Sequence, residues 1–411
     1  VAKRPQPSTD IARSCVACFV AYPKHTRFGP VINTNLAEVR TLNRRDVTML
    51  IYWLPFAAAG FLSLLRPTQA RAGLAAVAVG LVVLVGLRHN VGTDWGTYAS
   101  WVTDVVDAPL AKALARTDPA YGLLNWLGAN GFGGIYFVTL VCAILAIVPL
   151  ALFCATRKNP GLALLVAIPY LVTVVDMNYT RQSVAVGFAM LAMMSVERQR
   201  TLPFLAAVTM AALFHKAAVC LFILAPALFA GRWDRRAFRQ FAFIALYALL
   251  LSGALLWRSF LPLLQQYFVR AGDQIGVVTL EREVKSGLYS GGAVFRITQT
   301  VIAAGAILVL AWRTNLRVPE KWLWAITSAA ILVLFAASFF RSTFADRAAL
   351  YFLPLQLHAF SALPDALPRP FGQLMHVAIV VCAGAVFWVW FRFGSDSALW
   401  LPYQSALQHW F

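Results

Sequence analysis

Five short stretches gather cations, acids and aromatic side chains in a chain that is otherwise strongly apolar. They are Arg88-His89-Asn90-Val91-Gly92-Thr93-Asp94-Trp95-Gly96-Thr97-Tyr98, Asp176-Met177-Asn178-Tyr179-Thr180-Arg181-Gln182-Ser183, Phe214-His215-Lys216, Ser290-Gly291-Gly292-Ala293-Val294-Phe295-Arg296, and 341–351 with Asp346, Arg347 and Tyr351. Ionisable groups at or within a membrane are costly, so each needs a reason. Arginine grips phosphate oxygens through a two-pronged fork and stays charged. Arg88, Arg181, Arg296 and Arg347 together therefore read as an electropositive pocket for a lipid-linked phosphate or diphosphate. Sugar transfer from a diphosphate-linked donor needs a base for the acceptor hydroxyl and cations for the departing diphosphate. Asp94 or His215 is the candidate base, and the four arginines are the candidate stabilisers. Gly92 lets the backbone turn sharply, and Tyr98 and Gln182 are supporting residues.

Each residue also has a plainer reading. Arg88 with Asp94, and Asp346 with Arg347, form salt bridges; Arg181 snorkels to the interface; His215 is a hydrogen-bonded packing residue. Asp94, Asp104, Asp107 and Asp118 are oxygen donors for a divalent ion, but their spacing is wide, and no metal or cofactor is expected. Cys15 and Cys18 form a CxxC with no second ligand pair, which argues against zinc. A P-loop, a GxGxxG opening a βαβ unit and an HExxH are all missing from the sequence, against ATP-driven or nicotinamide chemistry.

The elements that must position these residues are membrane spans. Hydrophobic residues make up 60% of the chain and charged ones 13%, against roughly 25% charged in a soluble domain. Apolar runs near bilayer length predict an all-α polytopic membrane protein of about twelve helices, eleven to thirteen. They fall at about 50–65, 73–87, 132–153, 160–176, 179–196, 202–215, 217–230, 238–257, 294–312, 322–340, 345–363 and 371–393. Two longer polar stretches, 88–131 and 258–293, are expected as loops on the outer face, beside an outer-face pocket.

Net charge is +18, from 35 Lys/Arg and 17 Asp/Glu. Arg66, Arg71, Arg157, Lys158, Arg198, Arg200, Arg232, Arg235, Arg236, Arg239, Arg313, Arg317, Lys321 and Arg369 mark alternate loops and place that side in the cytoplasm. Arg181, Arg296 and Arg347 instead begin spans on the outer side, where a cation also opposes the helix dipole. Half of the charge is thus a topology signal, and the remainder calls for an anionic ligand. Residues 1–48 carry eight Lys/Arg and three Asp/Glu without hydrophobic periodicity. They are expected to be a disordered basic extension, with Met49 as the true start of a single multi-span domain over 49–411.

Several of these stretches resemble one known family. Leu87-Arg88 to Gly92-Thr93-Asp94 and Tyr98, the helix start Arg181-Gln182-Ser183, the turn Phe214-His215-Lys216-Ala217-Ala218, Arg347 to Tyr351, and Leu401-Pro402-Tyr403-Gln404-Ser405 are similar to the EpsG family of bacterial exopolysaccharide polymerases, related in outline to Wzy-type polymerases. The resemblance covers roughly residues 49–411. It implies a glycan polymerase of the bacterial inner membrane that joins undecaprenyl-diphosphate-linked repeat units at the outer or periplasmic face, with undecaprenyl diphosphate leaving. It further implies a flippase and a chain-length regulator as partners, membrane lipid as surroundings, and no nucleic acid. Arg88, Asp94, Arg181, His215 and Arg347 match family positions, while Arg296 rests on the residue pattern alone. A glycan ligase of O-antigen type shares this donor chemistry. From a different class, a lipid-linked oligosaccharide flippase or transporter is the alternative.

Overall fold

Apolar helix formers dominate the chain, and in the computed structural model the described residues are helical, with no strand and one isolated backbone bridge between Arg88 and Ser405. The residues described are 35–232, 234–270, 290, 292–339 and 341–410. Helix α1 spans Asn35–Leu64 and α2 spans Pro67–Gly86. Residues 35–48, expected to be disordered, are therefore helical in their backbone; neither Pro nor Gly interrupts the chain between Pro30 and Pro55. The remainder of that extension, 1–34, lies outside the described residues.

The stretch 88–131 folds into three short helices, α3 (Trp95–Thr103), α4 (Leu110–Arg116) and α5 (Pro119–Asn130). Then come α6 (Ile135–Ala155), α7 (Pro160–Ala167), α8 (Thr180–Glu197) and α9 (Thr201–Phe214). After them follow α10 (Arg235–Arg270), α11 (Ala293–Arg313), α12 (Val318–Ser338), α13 (Ser342–Ala349), α14 (Pro354–Ala362), α15 (Arg369–Phe393) and the short α16 (Leu407–Trp410). The second expected loop, 258–293, begins as helix because α10 continues to Arg270; residues 271–289 and 291 lie outside the described residues.

The span count differs from the expected twelve. Among the described residues, six helices are long and apolar enough to cross a membrane: Pro67–Gly86, Ile135–Ala155, Arg235–Leu255, Ala293–Arg313, Val318–Ser338 and Arg369–Phe393. Four apolar helical segments are shorter, Met49–Leu64, Pro160–Asp176, Thr201–Phe214 and Lys216–Phe229. Two of them leave α geometry. Behind α7, Ile168–Asp176 winds as a wider π-helix at Pro169, which has no amide proton to donate, and Lys216–Phe229 is a tighter 3-10 segment containing Pro226. The expected span 345–363 is broken into α13, a 3-10 turn and α14, with Pro354 at the start of α14.

Helix α8 is the centre of the bundle. Most of its residues are buried, and α6, α9 and the 3-10 segment Lys216–Phe229 pack around it. Gly187 permits the close approach to α6, since a Cβ there would lie 2.7 Å from the Leu145 carbonyl oxygen. In its polar first turn, Thr180, Gln182 and Ser183 are buried and Arg181 is part-exposed. Residues 47–411 form one compact unit, which contains everything described below.

The C-terminal tail straps the end of α2. The Ala406 amide donates to Leu87 O (2.8 Å), the His89 amide to Gln404 O (2.8 Å) and the Gly92 amide to Leu399 O (3.2 Å). Three side chains anchor the strap: Trp400 Nε1 donates to Thr173 O (2.8 Å), Tyr403 OH to Leu84 O (2.9 Å) and Tyr52 OH to Trp400 O (2.7 Å).

Candidate functional site

The site assembles around the first turn of α8. The π-helix ends at Asp176, and Met177-Asn178-Tyr179 lead into Thr180. Asn178 is buried, and its Oδ1 accepts hydrogen bonds from Thr93 Oγ1 and from the Asp94 amide, both at 3.0 Å. That docking requires the 92–94 loop to lie flat on 177–178. Gly92 allows it: its φ is +98°, and a Cβ would sit 2.9 Å from Asn178 Oδ1 and Met177 O.

Asp94 is thereby held at the N-terminus of α3, half-buried, with Thr93 Oγ1 3.3 Å from its carboxylate, where the hydroxyl proton is shared between Asn178 and Asp94. Burial raises its carboxyl above the ordinary value, against the opposing pull of Arg347, the Thr93 hydroxyl and Arg181. One turn along α3, Tyr98 stands edge-on to Trp101 (5.4 Å between centroids) and Tyr121 (5.7 Å), and burial raises its phenol, which stays protonated.

Arg181 lies over the Trp101 ring at 4.7 Å and donates from Nη1 to Asp118 Oδ2 (2.7 Å) and Thr117 Oγ1 (3.0 Å). The other oxygen of Asp118 accepts the Lys216 amide at 3.3 Å, so this buried acid, just before Pro119 opens α5, ties α8 to the turn that carries His215. His215 Nδ1 is 2.5 Å from the hydroxyl of the buried Tyr351. Gln182 Nε2 donates to Arg347 O (2.6 Å) and its Oε1 accepts from Arg347 Nη1 (3.3 Å), while the Arg347 guanidinium lies 3.8 Å from the centroid of Tyr179.

Asp94, Arg181, Arg347 and His215 thus share one electrostatic neighbourhood, although they come from four separate stretches. Of the four arginines singled out from the sequence, two are matched by carboxylates here. Arg181 has Asp118, and Arg296 forks onto Asp346 through Nε (2.9 Å) and Nη2 (2.7 Å), with Ser290 Oγ a further acceptor at 2.8 Å. Asp346 therefore neutralises Arg296 rather than its neighbour Arg347, and Arg347 has no ion pair among the described residues.

Arg88 is placed differently from the expectation. It is 1% exposed, beneath the cluster rather than on its face. Its Nη1 donates to Val85 O (2.5 Å) and its Nη2 to Thr180 Oγ1 (3.0 Å), so it does not pair with Asp94. Desolvation of this kind holds a side chain in place and keeps it from an external phosphate. Asp118, Asn178, Tyr179, Trp101 and Tyr351 were not among the proposed site residues. Asp118 was singled out only as an oxygen donor for a divalent ion; the Asp-Pro pair at 118–119, a helix-start signal, marks its place but not its pairing with Arg181. No group of three or more metal-ligating side chains occurs among the described residues.

In this arrangement a half-buried carboxylate, a hydrogen-bonded imidazole and an arginine without a carboxylate partner among the described residues lie around the start of α8, Arg347 acting electrostatically on both of the others. Such a set can take a proton from a hydroxyl and stabilise negative charge forming nearby. A family model described as the EpsG family matches residues 73–405. No curated protein and no solved structure matches the chain.

Proposed function

We propose that this multi-pass membrane protein, which belongs to the EpsG family, polymerises undecaprenyl-diphosphate-linked oligosaccharide repeat units into exopolysaccharide. The observation that carries the reading is Arg347: a half-buried guanidinium without an ion pair among the described residues, within the electrostatic reach of Asp94. Arg347 and Arg181 bind the donor diphosphate. Asp94 accepts the proton of the acceptor hydroxyl as its oxygen attacks the anomeric carbon. The bond from that carbon to the diphosphate oxygen breaks, and both electrons leave with the diphosphate, whose charge the two arginines stabilise. His215, set by Tyr351, is the alternative base. Arg88 and Arg296 act through their neighbours, Arg88 by seating Thr180 and Arg296 by drawing Asp346 away from Arg347.

The reaction runs on the outer face of the inner membrane, because the cluster lies at the opposite end of α8 from Arg198 and Arg200, which the basic-loop pattern assigns to the cytoplasm. A transporter would set its ionisable groups near the midplane, where access alternates. Analysis of lipid-linked glycans in cells tests the proposal. Arg347→Ala and Asp94→Asn should each abolish long polymer while single lipid-linked repeats accumulate outside. Polymer of normal length in both variants overturns it, and repeats trapped inside would mark a flippase.

A further inference from the structure

A second feature lies at the other end of α8, about 25 Å along the helix from Arg181 at 1.5 Å per residue. There α8 and α9 part to leave a groove of about 340 Å³, walled by Leu191 and Met194 of α8 and Ala207 and Met210 of α9, with Arg198 and Arg200 at its mouth. We propose that this groove is a binding site for an anionic phospholipid of the cytoplasmic leaflet, headgroup phosphate on the two arginines and an acyl chain between the helices. The assignment goes beyond the polymerase reading and does not depend on it.

The turn that presents the arginines is built, not frayed. The Arg200 amide donates to Ser195 O and the Gln199 amide to Val196 O, both at 2.9 Å, closing the end of α8 in a Schellman arrangement with Gln199 at φ +52°. Gln199 Nε2 then reaches away from the groove to Leu228 O (3.3 Å) and Ala230 O (3.2 Å), which pins the turn. Its two neighbours, Arg198 and Arg200, are left exposed on the groove.

Charge at the mouth is uncompensated. Glu197, the adjacent acid, is buried and gives both oxygens to Arg157, at 2.8 and 2.7 Å. Neither Arg198 nor Arg200 has a side-chain partner among the described residues. Two unpartnered guanidiniums above an apolar slot between helices complement a phosphate joined to hydrocarbon, and basic pockets between spans on the cytoplasmic side hold such headgroups. A zwitterionic headgroup would add a cation to a site that already has two. Free phosphate would leave the apolar walls unused.

The test is a titration of the purified full-length protein with dioleoyl phosphatidylglycerol or dioleoyl phosphatidylcholine, read by native mass spectrometry. Wild type should favour phosphatidylglycerol by about thirtyfold, as expected for two basic side chains at an anionic headgroup. The exposed double variant Arg198→Gln, Arg200→Gln should lose that preference. Ala207→Leu, which narrows the groove but keeps both arginines, should lower phosphatidylglycerol occupancy. No preference in wild type, or an undiminished preference in the double glutamine variant, overturns the proposal. So does undiminished occupancy in Ala207→Leu, which would place the chain elsewhere. Full competition by inorganic phosphate at matched concentration would also overturn it, since that marks a free-anion site. Polymer length plays no part in the readout, so the two proposals stand or fall separately.

Discussion

At opposite ends of α8, Arg157 on one side and Arg181 with Arg347 on the other are held in opposite ways. At its C-terminal end, Arg157 is 3% exposed and its donors are matched. Glu197 takes a two-pronged bond, Thr156 Oγ1 accepts at 2.7 Å and Phe153 O at 3.2 Å, His358 Nδ1 lies at 2.9 Å, and the Phe153 ring lies 4.2 Å away. At the N-terminal end Arg181 is 25% exposed with one carboxylate, and Arg347 has an amide oxygen and a ring face but no carboxylate. The residue type is the same. What differs is completeness: the first arrangement is saturated and locks loops together, while the second leaves positive charge available to a ligand. A buried charge with its donors matched is a structural tie, whereas a part-exposed one with donors to spare can take a ligand.

The hardest way to break this comparison is to open the saturated end. Arg157→Ala leaves Glu197 buried without its cation, and removing one partner of a buried pair costs about 3–5 kcal/mol. Thermal unfolding of the purified protein should show a large drop in midpoint, and folded protein in the membrane should fall with it. Replacing both residues, as Arg157→Met with Glu197→Met, should recover much of the loss, because no charge is then stranded. If Arg157→Ala kept wild-type stability yet lost polymer, the assignment of roles to the two ends would be reversed.

A smaller effect is expected from Asp118, the residue that ties the open end together. Asp118→Asn keeps the shape but weakens the bond to Arg181, and a hydrogen bond to a charged group is worth about 1.5–3 kcal/mol. Polymer synthesis should fall about tenfold or more while the unfolding midpoint moves little, and Asp118→Glu should restore part of the rate. A matching loss of stability would instead place Asp118 with Arg157 as a tie.

How far this contrast could be read from the sequence depends on the range of the interactions. The five stretches stood out because charge in apolar sequence is locally conspicuous, and four of the resulting candidates, Asp94, Arg181, His215 and Arg347, converge in space. Their partners did not stand out. Arg181 meets Asp118 across 63 residues, Thr93 meets Asn178 across 85, and Gln182 meets Arg347 across 165. No periodicity records such pairings. For the same reason Arg88 looked equivalent to Arg181, although one lies beneath the cluster and the other on it. The tail at 401–406 carried only a family resemblance, yet its backbone holds the Arg88 loop. Run length also misjudged the spans, since apolarity does not distinguish an α-helix from the π turn at Pro169, the 3-10 segment at 216–229 or the break at Pro354.

The smallest expected effect on stability concerns Asp94 and separates its chemistry from its role in packing. Its carboxyl is raised in the folded protein, so the folded state holds the proton over a pH range where the unfolded chain has released it. Stability from this group is therefore fully present below the ordinary carboxyl range and is lost as pH rises through the raised value. Asp94→Asn imitates the protonated form, so it should match wild type in acid and be slightly more stable near neutral pH. Activity must move the other way. A base works only when deprotonated, so wild-type polymer synthesis should rise with pH through the same titration, and the asparagine variant should be inactive throughout. Paired unfolding and activity profiles against pH check both signs. An asparagine variant that is less stable at neutral pH would mean that the carboxylate of Asp94 is a tie, like that of Glu197, and the proton acceptor would then have to be His215.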